Sequence, residues 1–276
     1  PSLCLAYAVC GLPVLLGFVV PFMQLLVWAS ITYDSILTRD FAGYLFNSVT
    51  LAAITAIAAL GLALFIAYGK RVFPSQLTRA SSRLVGLGYA LPGTVVAIGV
   101  LVPFAWFDNR LSEFMVATFD YNTGLLLSGT VFILVFAYLV RFLPIALNTV
   151  DAGLAKIRPS MDETGRSMGF SPAALLRRVH IPIMRGSLAT ALLLVFVDVL
   201  KELPATLLLR PFNFNTLAIR TYELANEERL ADAAGPALAI VLASLIPVIL
   251  LSRTLRQAGE APSSLPQGSS TSDESK

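Results

Sequence analysis

Residues 42–69, AGYLFNSVTLAAITAIAALGLALFIAYG, carry no charged side chain over a length that exceeds the roughly 20 residues an α-helix needs to cross the hydrocarbon core of a bilayer. The flanking sequence repeats the theme. Charge-free runs also extend over 1–33, 84–107, 121–140 and 233–252. A sixth, from Gly186 to Val197, reaches spanning length only by taking in Asp198, Lys201 and Glu202. Across the chain 56% of residues are hydrophobic and 13% charged, with a mean hydropathy of +0.76, a balance that excludes a water-soluble domain. Runs of this length must be helical. The bilayer interior offers no water to unpaired backbone groups, and a barrel strand would need only about 10 residues of alternating pattern. The expected fold is all-α, a polytopic transmembrane helical bundle of about six spans.

The first run lacks a basic leading segment and is too long for a signal peptide. The chain begins without Met, which suits a processed or excised part of something longer. Orientation follows from Lys and Arg between spans. The 70–83 connection holds Lys70, Arg71, Arg79 and Arg83 without an acid, and the 151–186 connection holds Lys156, Arg158, Arg166, Arg177, Arg178 and Arg185. The alternate connections, 34–41, 108–120 and 206–232, are poor in basic residues or balanced by acids. Both termini are therefore expected on the cytoplasmic side of a multi-pass membrane protein. The net charge of +3 is accounted for by this distribution and calls for no nucleic-acid partner.

Cys4 and Cys10 share the first run and His180 is the only histidine, so the chain cannot assemble a zinc site or a Cys-His catalytic pair. It contains no phosphate-binding G-x-x-x-x-G-K-[ST] loop, and Gly86 and Gly88 read as close helix packing. Any ATP that drives the protein must be bound, with its Mg, by another chain.

The 159–182 segment reads as two short helices. Ser160 and Glu163 have capping-box spacing, Gly169 suits a left-handed helix stop, and Ser171-Pro172 suits a second N-cap followed by a first-turn proline. Pro182 is expected to end the second helix just before the fifth span. Met161, Gly165 and Met168 fall near one face, with Phe170 at the turn. Exposed on the cytoplasmic side, such an elbow suits a partner's groove. The alternative is that Glu163 and Gly169 only shape helix ends while the apolar residues rest on the bilayer or the spans.

The pattern E-x-G-x3-G-x9-V-x-I-P, formed by Glu163, Gly165, Gly169, Val179, Ile181 and Pro182, resembles the cytoplasmic "EAA" loop of binding-protein-dependent (type I) ABC importer permeases, E-A-A-x3-G-x9-I-x-L-P. Glu163, Gly169 and Pro182 match, whereas Thr164, Gly165, Val179 and Ile181 depart from it. The resemblance implies a coupling-helix loop seated in a cleft of a cytoplasmic ATPase subunit, with Glu163, Gly165, Met168, Gly169, Phe170 and Pro182 as the docking residues. It also implies a bacterial inner-membrane location, a periplasmic or lipoprotein solute-binding protein, and a second permease half or subunit. Lys201 to Pro211, KELPATLLLRP, together with 215–218 and Gly88 to Gly99, resembles the ferric-iron branch of these permeases, which includes relatives for thiamine or phosphonates. The likeness covers about Tyr44 to Leu255 and implies either the C-terminal half of a tandem permease or a dimerising subunit. The chain thus divides into a first span with its external loop (1–43), a permease core (44–256) and a Ser/Pro/Gly-rich tail expected to be disordered (257–276).

Asp198, Lys201 and Glu202 stand at i, i+3 and i+4, so they are expected on one helix face just before Pro204. Each costs about 2.5–3.5 kcal/mol at the centre of a span. They read either as a polar lining or gate of a translocation path, or as an interhelical ion pair that holds the bundle. Arg141, placed toward the cytoplasmic end of the fourth span, is expected to snorkel or to pair with a carboxylate. Kinks are expected at Pro92-Gly93 and Pro144, and a helix over Thr221 to Ala234 outside the membrane.

Overall fold

A computed structural model describes residues 2–33, 39–121 and 124–259. Helices α1 (Ser2–Val14) and α2 (Val20–Ile31) join through a π turn. They are followed by α3 (Arg39–Val72), α4 (Gln76–Leu87), α5 (Gly93–Phe119) and α6 (Val131–Ala155). Two short helices, α7 (Pro159–Ser167) and α8 (Pro172–Leu175), lead through a second π turn into α9 (Ile181–Leu200). The chain ends in α10 (Pro204–Leu209), α11 (Leu217–Asn226) and α12 (Leu230–Gly259).

Among the described residues, six stretches are long and apolar enough to cross a membrane: 9–31, 40–72, 93–119, 131–155, 172–200 and 230–249. Their outer faces are apolar too. Ile57, Phe65, Ile98, Trp106 and Phe132 are each more than half exposed, an arrangement that suits lipid and not water. The core lies where α3, α6 and α9 pack on one another. Ala52, Ala56, Ala59, Ala63 and Ala67 form one fully buried stripe on α3, and small side chains there let the three backbones approach closely. The α1–α2 helix lies outside this core and packs along α12, with Thr32 Oγ1 donating to Ala231 O at 3.1 Å.

The third and fourth spans lie some ten residues later than the uncharged runs suggest. Asp108, expected in a loop, is buried inside α5, where its carboxylate accepts from the backbone N–H of Leu127 (3.1 Å) and Ser128 (2.7 Å). Met by these amides, the charge does not end the helix. At Pro92 the chain breaks completely, so 76–87 forms a separate amphipathic helix. At Pro144, by contrast, α6 is unbroken. The carbonyl that Pro144 leaves without a helical donor is that of Val140, and the Gly88 Cα packs directly against it. Gly86 has open space beside it, so only Gly88 serves the close packing.

Pro182 does not stop a helix. Leu176–His180 widens into a π turn with Ile181 N–H bonded to Leu176 O, so the chain passes the proline as one helix from Pro172 to Leu200. Leu15–Val19 does the same two residues ahead of Pro21. The expected 221–234 helix is split into α11 and α12 by Glu228, which has a positive φ of 60°. The tail boundary expected at 257 falls inside α12, which continues to Gly259; residues 260–276 lie outside the described residues.

Candidate functional site

The elbow begins at α7. Its start is not the capping box over Ser160 and Glu163. Arg158 is the N-cap, without a side-chain bond, and Pro159 occupies the first turn. Because Pro159 already has the helical φ and needs no hydrogen-bond acceptor, the helix starts two residues too early for Ser160 to cap it. The C-terminus follows the expected rule. Gly169 has φ +81°, its N–H bonds to Arg166 O (2.9 Å) and that of Phe170 to Gly165 O (3.0 Å), a Schellman turn whose left-handed residue favours glycine. Ser171 then caps α8, accepting from Ala174 N at 3.3 Å, with Pro172 at the first position.

Gly165 is buried. A Cβ there would stand 2.5 Å from Leu175 Cδ1, so the missing side chain lets the two short helices touch. Glu163, Met168, Gly169 and Pro182 are exposed, Met168 at 68%, and Phe170 is half-buried under the Arg178 guanidinium 5.6 Å from its ring. Met161, Thr164, Gly165, Met168, Phe170 and Val179 line an apolar groove of about 260 Å³. Five of the six expected docking residues thus gather on one elbow. Pro182 lies farther along, in the first turn of α9.

Behind the elbow lies a polar cluster that local patterns did not reveal. Asp162 Oδ2 accepts from Arg71 Nε at 2.7 Å, and Oδ1 lies 2.7 Å from His180 Nε2. Arg71 also donates to Leu154 O (2.7 Å) and Ile157 O (2.9 Å), two carbonyls at the C-terminal end of α6. Tyr68 Oη donates to Pro172 O at 2.7 Å and its ring meets His180 edge-on. Nearby, Lys70 Nζ pairs with Asp151 at 2.5 Å.

Burial alone would raise the Asp162 carboxyl, but the Arg71 and His180 contacts outweigh it and hold it below its ordinary value of 3.8. A depressed carboxyl contributes stability that is complete above the unfolded value and lost as pH falls through the folded one. The thermal midpoint of detergent-solubilised protein is therefore expected to exceed that of Asp162→Asn at neutral pH. The gap should close only below about pH 4. A gap that is independent of pH would contradict the ionised contact.

Inside the membrane, the three charges of the fifth span separate. Because α9 ends at Leu200, Glu202 leaves the face shared by Asp198 and Lys201. Lys201 Nζ pairs with Asp198 at 2.8 Å, the lysine side chain 64% exposed and the aspartate 19%. Glu202, 5% exposed, turns inward, where Oε1 accepts from Arg141 Nη1 (3.3 Å) and from the Ala205 N–H (3.1 Å) in the first turn of α10, next to Pro204. Arg141 is near the middle of α6 and not toward its cytoplasmic end, and its guanidinium rests on Gly93 at the start of α5. Two helix breaks, at Pro92 and before Pro204, therefore meet at one ion pair. Tyr138 Oη and Thr206 Oγ1 hydrogen-bond just beside it. Among the described residues, no cluster of His, Cys, Asp or Glu is able to hold a metal ion.

Residues 59–257 match the family described as binding-protein-dependent transport system inner membrane component. Fe(3+)-transport system permease protein FbpB 2 of Haemophilus influenzae is 29% identical over 253 residues. The alignment covers 91% of this chain and 47% of that relative, so the chain spans about half of its length. PhnV of Salmonella typhimurium, named for 2-aminoethylphosphonate transport, is 25% identical over 216 residues, covering 78% of this chain and 76% of its own. In architecture, the chain is similar to a bacterial alginate ABC transporter solved with an alginate pentasaccharide-bound periplasmic protein. The TM-score is 0.73 at 16% identity, covering 94% of this chain and 96% of that one.

Proposed function

Since the chain belongs to the family of binding-protein-dependent transport system inner membrane components, we propose that it is the membrane-spanning permease of an ATP-driven importer for ferric iron delivered by a solute-binding protein. The observation that carries this reading is the elbow. It is a nine-residue helix, closed by a left-handed Gly169, that presents Glu163, Met168 and an apolar groove away from the bundle. In this reading the elbow seats in a cleft of the cytoplasmic ATPase, which binds ATP and Mg, and both chain termini share that side of the membrane. A second permease half completes the path.

Closure of the ATPase pair moves the elbow, and the spans switch between outward and inward access. Asp198, Lys201, Glu202 and Pro204 belong to the path: Lys201, paired with the less exposed Asp198, offers exposed charge, while Glu202 and Pro204 form the break beside it. The 29% identical iron permease and the Lys201–Pro211 resemblance support ferric iron over thiamine, phosphonate or another solute. The alternative, an ion-coupled secondary transporter that uses Asp198, Lys201 and Glu202 as its relay, requires a free carboxylate, whereas these three charges are all paired.

Proteoliposomes containing the chain with its co-purified ATPase and binding protein test the proposal. Uptake of radiolabelled ferric iron is expected only with ATP and the binding protein. Uptake driven by an ion gradient without ATP would overturn the mechanism, and ATP-dependent uptake of a different solute would overturn the cargo.

A further inference from the structure

We propose that Asp162, Arg71 and His180 are positioning residues that clamp the elbow to three spans at once. The force entering at α7 is thereby delivered to α3 and α6 as well as to the fifth span. The inference rests on the docking reading above and extends it from where the partner binds to how its motion is passed on.

The placement within α7 is the first argument. Asp162 faces the bundle and Gly165, three residues on, packs against Leu175 of α8, whereas Glu163 and Arg166 are exposed. The helix thus has a holding face and a presenting face, and adjacent residues serve opposite sides. The second argument is valence. Each oxygen of Asp162 has its own partner, one from the end of α3 and one from the π turn that opens the fifth span. Arg71 uses three N–H groups on three acceptors, one on α7 and two at the end of α6. The planar guanidinium fixes these directions together, which a lysine ammonium does not do.

Burial is the third argument. His180 is fully buried, and the Arg71 and Asp162 side chains are 17% and 14% exposed. The charge-assisted bonds are therefore little weakened by solvent. Tyr68 adds a bond from α3 to the backbone at Pro172, and Lys70–Asp151 ties α3 to α6 one turn away. Asp162 holds α7 through its two bonds, while the Arg71, Tyr68 and Lys70 contacts hold α3 to α6 and to the fifth span, so a pull on Asp162 is shared by all three.

His180 supplies a readout within this chain alone. An ionised carboxylate only accepts, so Nε2 carries the proton toward Asp162, and Nδ1 is buried without a hydrogen-bond partner among the described residues. As the only histidine, it gives a single imidazole signal in protein labelled with 15N-histidine. The expected result is a hydrogen-bonded Nε2–H that exchanges slowly with solvent, lost in Asp162→Ala and retained in Gly169→Asp. A fast-exchanging Nε2–H in the wild-type protein would overturn the clamp, whether or not an ATPase partner is found.

In reconstituted complexes, Asp162→Ala and Arg71→Met are expected to keep the ATPase bound and hydrolysing while iron taken up per ATP falls about tenfold, with Arg71→Lys intermediate. If either protein fails to insert, Tyr68→Phe removes only the hydroxyl donated to Pro172 and is expected to give a smaller loss of the same kind. Assembled complexes with an unchanged ratio of uptake to hydrolysis would sink the proposal. Failure of the wild-type chain to bind any ATPase would instead count against the docking reading, and the imidazole signal alone then upholds or overturns the clamp.

Discussion

Arg141→Leu is expected to destabilise the folded chain by about 3 kcal/mol, the lower end of the range for removing one partner of a buried ion pair. The reason is Glu202. Its side chain is 5% exposed, and without Arg141 its carboxylate keeps only the Ala205 N–H. The lower end applies because the Arg141 side chain is itself 22% exposed. The aliphatic part of leucine occupies the space of the arginine stem, so the loss is electrostatic rather than a cavity. Adding Glu202→Gln to Arg141→Leu removes the stranded charge while leaving an amide oxygen for Ala205, and the double variant is expected to regain at least half the loss. Thermal midpoints of detergent-solubilised proteins decide the matter. A double variant no more stable than Arg141→Leu would show that the ion pair does not hold the junction.

Gly169→Asp is expected to leave the protein inserted while abolishing most of its transport. With φ at +81°, a residue bearing a Cβ costs on the order of 1 kcal/mol at this turn. That loss is small for six packed spans but large for the angle between two short helices. Space is not limiting, since nothing lies within 4 Å of where the Cβ would be. The added carboxylate also stands on the surface that carries Glu163, where a partner shaped for one acid meets two. Weakening docking by about 1.4 kcal/mol or more reduces association at least tenfold. ATPase co-purification and iron uptake are both expected to fall while the amount of membrane-inserted protein is unchanged. Gly169→Ala, which keeps the backbone cost without the charge, is expected to lie between. Full association and uptake by Gly169→Asp would refute the docking role.

The spans and the elbow were legible for different reasons. Length without charge is a property of the medium, so 42–69 announced a crossing helix whatever its neighbours. Gly169 and Ser171 were readable because helix ends are settled by groups within a few residues. Local reading failed at Ser160, beside Pro159, and at Pro182, where a π turn carries the helix through; the other errors came where distant partners intervene. Asp108 seemed to close a span and instead lies inside one, because amides 19 and 20 residues away satisfy it. Glu202 seemed to share a face with Asp198, yet α9 stops at Leu200 and Arg141, 61 residues away, draws it inward. The link from Arg71 to Asp162 spans 91 residues, and no local spacing encodes it. The unique histidine was the one visible signal, since a polar ring just before a span-opening proline needs a partner.

The α1–α2 helix has the opposite character. Within its membrane-crossing stretch no residue is buried, and it rests on α12 away from the core. Natural selection can therefore test little in it beyond overall oiliness and a few positions along one seam, whereas a larger side chain anywhere in the fully buried alanine stripe of α3 has to displace packed neighbours. Across lineages, the first span should drift fastest, its letters exchanging freely among Leu, Val, Ile and Phe while the interior spans stay recognisable. Its ancestry will then be traced by position and hydropathy long after its sequence has ceased to align.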